Sequence, residues 1–247
     1  MPEIVAFVSP KGGCGATSVC GLLWYALSDL GYKVLGLDMC FEDGSLDFFL
    51  GKESDYIYTL FDVLDGNCQF NDICTSDESS FLRGGYDEIG FGYAKAGEIL
   101  KKSGYDYILA DCRPGAVPEF ADRIVLVTDT SPVSVRFCEE FAGNISDKPV
   151  SVVINKIVPR FIDDRLHLTV DEIMDSTGCN LLGLVPMDMY VNYIPRDSVN
   201  RNIDISCLYS CALNIASRIT GKSIPAYDID GFFRSGRAYK YFAKGRK

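Results

Sequence analysis

The sequence predicts an α/β fold, with a mostly parallel central sheet and helices on both faces, from three observations. The apolar run Ile4-Val5-Ala6-Phe7-Val8 passes through a glycine-rich turn, Pro10 to Thr17, into a helical stretch from Val19 to Leu30. A second apolar run, Lys33 to Asp38, follows that helix, and a helix between two short apolar runs makes a βαβ unit. Apolar runs then keep alternating with helix-length segments along the chain.

Each element has its own reason. The first helix stops at Asp29-Leu30-Gly31, with glycine where a C-terminal cap belongs. Glu42 to Gly51 reads as irregular and Tyr56 to Leu64 as a helix. The glycines, asparagines and acids of Asp65 to Glu88 predict a loop-rich stretch with one short strand. Ala94 to Ser103 is the next predicted helix, and Tyr105 to Asp111 an apolar strand ending in aspartate. Arg123 to Thr128, Val150 to Asn155 and Leu181 to Val185 read as buried strands, the last closed by Pro186. Helices are predicted over Val133 to Phe141, near Val170 to Ser176, and over Ile205 to Ile219 with Gly221 as its cap. No repeat or long linker divides the chain. One domain is predicted over residues 1–230, with a short tail over 231–247.

Composition narrows the function classes. The 247 residues are 47% hydrophobic and 23% charged, a globular balance rather than a disordered one. Ten cysteines show no CxxC spacing and only one histidine accompanies them, so neither a zinc site nor a disulfide framework is predicted. Buried thiols in a reducing cytosol are expected instead, and no secretory leader is seen at the N-terminus. The net charge of −10 is uneven. Residues 231–247 hold six basic residues and no acidic one; the rest holds 18 basic against 34 acidic, a net −16. So acidic a body is a poor partner for bulk DNA.

The chemistry is predicted at the strand ends. In Lys11-Gly12-Gly13-Cys14-Gly15-Ala16-Thr17-Ser18 the glycines let backbone N–H groups converge on a phosphate, and a helix N-terminus follows. Thr17 stands where a Mg²⁺-holding hydroxyl belongs, while Ala16 occupies the place of the phosphate lysine. Asp38 and Asp111 each end a buried strand, and Pro114-Gly115 turns the chain after the second. In an open parallel sheet both carboxylates lie on the ligand-binding edge, where Asp111 reads as a Walker B aspartate.

Together these residues resemble the MinD/ParA family of deviant Walker-A ATPases, which have the three-layer P-loop NTPase fold. The family loop reads Lys-Gly-Gly-x-Gly-Lys-Thr, and here it runs from Lys11 to Thr17. The resemblance implies ATP or ADP with Mg²⁺ as ligands, with Asn155 and Pro186 flanking the adenine. It implies catalytic roles for Lys11, Asp38 and Asp111, and metal contacts for Thr17, Asp38 and Asp111. The stretches Ser45 to Gly51 and Phe61 to Gly66 are closest to the MinD branch. The lysine-to-alanine change also resembles the TadZ/CpaE pilus-localising branch, the second choice.

Two departures bear on mechanism. Ala16 removes a charge-assisted hydrogen bond worth about 1.5–3 kcal/mol, roughly 10- to 100-fold in affinity. Cys40 stands where MinD proteins carry a second aspartate tied to hydrolysis, and a thiol cannot position water or Mg²⁺ as a carboxylate does. The expected protein binds nucleotide, dimerises on it, and hydrolyses it weakly or not at all, with Lys11 reaching the nucleotide across the dimer interface. From Phe232 to Lys247, Phe232, Tyr239 and Phe242 project on one helical face opposite Arg234, Arg237, Lys240 and Lys244. That pattern predicts either contact with an anionic membrane surface or docking on the acidic body. The expected location is cytoplasmic, peripheral to the inner membrane face. Two alternatives stand beside this: a slow but genuine ATPase, and a nucleotide-free scaffold for a pilus, secretion or division apparatus.

Overall fold

A computed structural model describes residues 1–41, 44–52, 57–74, 78–85, 91–145, 147–188 and 207–234. The strands are β1 (Glu3–Val8), β2 (Val34–Met39), β3 (Ser80–Arg83), β4 (Tyr107–Cys112), β5 (Arg123–Thr128), β6 (Val150–Ile157) and β7 (Asn180–Pro186). They form one sheet in the order β3-β2-β4-β1-β5-β6-β7, with every pair parallel. The helices are α1 (Ala16–Asp29), α2 (Leu46–Leu50), α3 (Leu60–Asp65), α4 (Phe70–Ile73) and α5 (Tyr93–Lys101), followed by α6 (Pro132–Gly143), α7 (Pro159–Asp163), α8 (Val170–Thr177), α9 (Cys207–Ile219) and α10 (Ile229–Arg234).

Strand alternation builds two cores. In β1, Ile4, Ala6 and Val8 face one layer, and Val5 and Phe7 face the other. The first layer holds Leu60 of α3, Leu100 of α5, Val135 of α6, Ile173 of α8 and Ile229 of α10. The second holds Leu23 of α1, Leu46 of α2 and Ile215 of α9. Both faces of β1 are fully buried, which is why that run is continuously apolar. Each fully buried leucine or phenylalanine contributes roughly 1.5–3 kcal/mol.

The departures from the sequence reading are short elements. Within the stretch read as irregular lies α2, whose Leu46 amide donates to the Asp38 carboxylate and whose end is capped by Gly51 in the left-handed region. Five residues are too few to display helical periodicity. The helix predicted from Tyr56 begins at Leu60, where Thr59 and Asp62 form a capping box; residue 56 lies outside the described residues. The short strand predicted before Glu88 is β3, at the sheet edge.

At the other end, α10 crosses the boundary drawn at 230/231. Ile229 is 6% exposed in the first core, and Phe233 packs against it. The side chains of Phe232 and Arg234, and residues 235–247 with Tyr239 and Phe242, lie outside the described residues. No helix among the described residues is long and apolar enough to cross a membrane.

Candidate functional site

The carboxyl ends of β1, β2, β4 and β6 bring the predicted residues to one edge of the sheet. The loop from Ser9 to Gly15 joins β1 to α1, and Ala16, Thr17 and Ser18 form the first helical turn. Gly13 and Gly15 hold φ of +86° and +92°, in the left-handed region. Gly15 is required twice over, because a Cβ there would stand 2.5 Å from the Asn155 amide nitrogen. The helix has no side-chain cap. Among the described residues no acceptor meets the amides of Gly12, Gly13, Cys14 and Gly15. Amides without a protein partner at a helix start are a means of holding a phosphate.

The end of β6 braces this loop. Asn155 Nδ2 donates to the carbonyl of Cys14 at 2.8 Å, and Lys156 Nζ donates to the carbonyl of Gly13 at 2.5 Å. The pairing of β6 with β7 skips between Ile154 and Ile157, and Lys156 adopts φ +56° within that irregularity. Such a bulge re-aims a side chain, here towards the loop. Pro186 ends β7 and pairs in register with Ile157, so it lies at the same strand ends as Asn155.

Lys11 points into the protein rather than away from it. Its ammonium donates to Ser134 Oγ at 3.1 Å, near the start of α6. Ser131 caps that helix, and both its hydroxyl and its backbone N–H donate to Asp129. Burial alone would raise the Asp129 pKa. The Ser131 and Ser134 hydrogen bonds and the Lys11 charge outweigh it, holding the carboxyl below its usual range.

Asp38 and Asp111 are register neighbours on β2 and β4, each 1% exposed. Their environments differ. Asp38 accepts the amides of Cys40 at 2.9 Å and Leu46 at 3.2 Å. Burial raises its pKa, opposed by those two bonds and by the charge of Arg83. Gly44 makes the close turn possible, since a Cβ there would sit 2.5 Å from Asp38 Oδ2. Neither carboxylate oxygen of Asp111 has a hydrogen-bond partner among the described residues. Burial pushes its pKa up to about 7, and the Asp38 charge adds to this. The Thr17 hydroxyl opposes the shift without reaching hydrogen-bond geometry. A buried, orphaned carboxylate beside a second one and a threonine hydroxyl fits a divalent cation.

Cys40 completes this group. The Asp38 and Asp111 carboxylates and the Cys40 thiol each place a ligand atom within 4.8 Å of the others. Cys20 and Cys112 lie alongside and are fully buried; burial first, then the Asp111 charge, pushes both thiols well up.

Sequence reasoning did not assign roles to Lys156, Asp129, Ser131 or Ser134. Ser131-Pro132 does carry a helix-start signature, cap then proline. Nothing in the sequence ties it to Lys11. The positive φ that aims Lys156 has no sequence signal either, since lysine rarely adopts it.

Comparison with known proteins identifies the family. Residues 5–198 match the CobQ/CobB/MinD/ParA nucleotide binding domain. The septum site-determining protein MinD of Bacillus subtilis is 28% identical over 257 residues, covering 91% of this chain and 91% of that one. A MinD relative from Oltmannsiellopsis viridis is 28% identical over 208 residues, covering 77% of this chain and 66% of the relative. Among solved structures, a chain of the MinC:MinD cell division complex of Aquifex aeolicus is similar, with a TM-score of 0.79 at 24% identity, covering 92% of this chain and 98% of that one. MinD of Pyrococcus horikoshii, complexed with Mg-ADP, gives a TM-score of 0.73 at 23% identity, covering 90% and 97%. Both structural likenesses establish the fold.

Proposed function

Because the chain belongs to the CobQ/CobB/MinD/ParA family of nucleotide-binding domains, we propose that it is a MinD-type ATP-binding switch with weak or absent hydrolysis. The observation that carries this reading is the loop from Gly12 to Gly15. It keeps its open amides and its bracing by Asn155, although Ala16 has replaced the phosphate lysine. The cradle survives without its strongest charge.

In this reading the amides of residues 12–18 hold the phosphates, and Thr17, Asp38 and Asp111 hold Mg²⁺ or its waters. Asn155 has Nδ2 committed to the Cys14 carbonyl, which leaves Oδ1 to accept from the adenine amino group, with Pro186 beside the base. Lys11 leaves Ser134 and reaches the nucleotide of a second copy, so dimerisation and nucleotide binding are coupled. Two tails then meet an anionic membrane together, and doubling a weak anchor raises avidity by ~10² or more. The protein would sit in the cytoplasm, peripheral to the membrane's inner face. A slow but genuine ATPase is the second reading. It is favoured by Lys156, which holds a positive charge against the loop and partly compensates for Ala16.

Calorimetry with ATP-Mg²⁺ and with ADP tests binding; absence of heat with both sinks the switch and favours a nucleotide-free scaffold. Liposome sedimentation with and without ATP tests the membrane arm. The control is truncation after residue 234, which leaves α10 on the core. If the truncated chain sediments as well as the full one, the tail is not the anchor. Measured turnover that collapses in Asp38→Ala and Asp111→Ala selects the ATPase.

A further inference from the structure

The sequence argues against a thiol-bearing metal site, since no CxxC pair exists and histidine is nearly absent. The fold assembles one from two strands. Asp38 lies near the end of β2, Cys40 follows that strand, and Asp111 is 71 residues further on from Cys40, near the end of β4. Parallel pairing of β2 with β4 sets Asp38 against Asp111, and Cys40 Sγ lies 3.8 Å from the Asp111 carbonyl oxygen. One ligand atom from each side chain lies within 4.8 Å of the other two.

One observation beyond the cluster's own geometry points to an ion in that space. Asp111 is 1% exposed, and neither of its carboxylate oxygens meets a donor among the described residues. A carboxylate so placed takes up either a proton or a cation, and the Arg83 guanidinium is engaged by the Asp47 carboxylate at 3.9 Å and by the carbonyls of Phe41 and Gly85. Asp38, by contrast, is already oriented by the amides of Cys40 and Leu46, as an outer shell orients a ligand. Cys40 itself is half-buried, which leaves an entry path.

The donor set then selects the ion. Mg²⁺ requires oxygen ligands in near-octahedral order, and a thiolate is foreign to it. Thiolate sulfur favours Zn²⁺ and similarly borderline or soft ions, and three protein ligands with one open position match their common arrangement. We propose that Asp38, Cys40 and Asp111 form a thiolate-bearing divalent-cation site that takes Zn²⁺, Co²⁺ or Cd²⁺ in preference to Mg²⁺. The site shares Asp38 and Asp111 with the Mg²⁺ position of the nucleotide reading, so the two ions compete there, but it needs no nucleotide.

The test is a Co²⁺ titration of the full reduced chain without nucleotide, followed by near-ultraviolet absorption. A thiolate-to-cobalt charge-transfer band should grow to one equivalent. Zn²⁺ should abolish it and a large excess of Mg²⁺ should not. Cys40→Ser should lose the band, and Asp111→Asn, which removes a ligand, should weaken Co²⁺ binding by at least the roughly 10- to 100-fold that loss of an outer-shell partner costs. Asp111→Asn removes an unpaired buried charge and so keeps the fold should Cys40→Ser lose it. The proposal is overturned if the wild type gives no band, if the band survives in folded Cys40→Ser, or if Mg²⁺ displaces Co²⁺ at equal concentration. The Co²⁺ titration is made without nucleotide and the ATP calorimetry with Mg²⁺ alone, so the two readings fail separately.

Discussion

The side-chain amide of Asn155 donates to the carbonyl oxygen of Cys14 at 2.8 Å, joining the end of β6 to the centre of the glycine loop. The contact is buried and spans 141 positions of sequence. Asn155→Ala leaves that carbonyl without a partner, at a cost of about 1–3 kcal/mol. A domain of this size loses roughly 2–4 °C of melting temperature per kcal/mol. Thermal unfolding followed by circular dichroism should therefore fall by several degrees. An unchanged melting temperature would mean that the loop does not depend on Asn155.

Gly15→Ala should do more damage than its single methyl group suggests. The backbone holds φ +92°, which costs a non-glycine residue on the order of 1–3 kcal/mol. The new Cβ would also sit 2.5 Å from Asn155 Nδ2, so the brace must break or the loop must move. Combining Gly15→Ala with Asn155→Ala should then cost less than the sum of the two single changes. A double-mutant cycle by urea denaturation measures this coupling, and strict additivity would contradict it.

Ala16→Lys tests the missing charge. Position 16 opens α1, where a long side chain can extend over the loop. A charge-assisted hydrogen bond to phosphate should tighten ATP binding by about 10- to 100-fold, read by calorimetry with Mg²⁺ present. Lys156 already donates to the Gly13 carbonyl. A gain near the lower limit would show that this neighbouring cation substitutes for the lost one, and no gain would show that the phosphates lie elsewhere.

What could be read from the sequence follows from what was physically local. β1, β4 and β5 were legible because strands buried on both faces read as continuous apolar runs. Asp38 and Asp111 were legible because each interrupts such a run at its carboxyl end. The four- and five-residue helices α2, α4 and α7 were not, since none completes two turns. Cys40 was visible as a departure, but its place within 4.8 Å of both aspartates depends on strand order, which pairs β2 with β4 rather than with β1. The lodging of Lys11 on Ser134 depends likewise on β5 lying beside β1.

Asp111 sets a pH dependence of unusual sign. Its pKa is pushed up to about 7 in the folded chain, chiefly by burial, against about 3.8 when unfolded. Across that window the folded state binds the extra proton, so the residue's contribution to stability falls as pH rises from about 4 to 7. Metal-free protein in chelator should therefore gain from Asp111→Asn at pH 8, by on the order of a few kcal/mol. At pH 4 the gain should vanish, because the wild-type carboxyl is then protonated in the folded state. Guanidinium midpoints of the two proteins at both pH values give the measurement. A divalent cation at saturating concentration should reverse the order at pH 8, because only the wild type offers the second carboxylate. If Asp111→Asn is no more stable than wild type at pH 8 in chelator, Asp111 already has a partner in the folded chain, and the case for a cation between β2 and β4 falls with it.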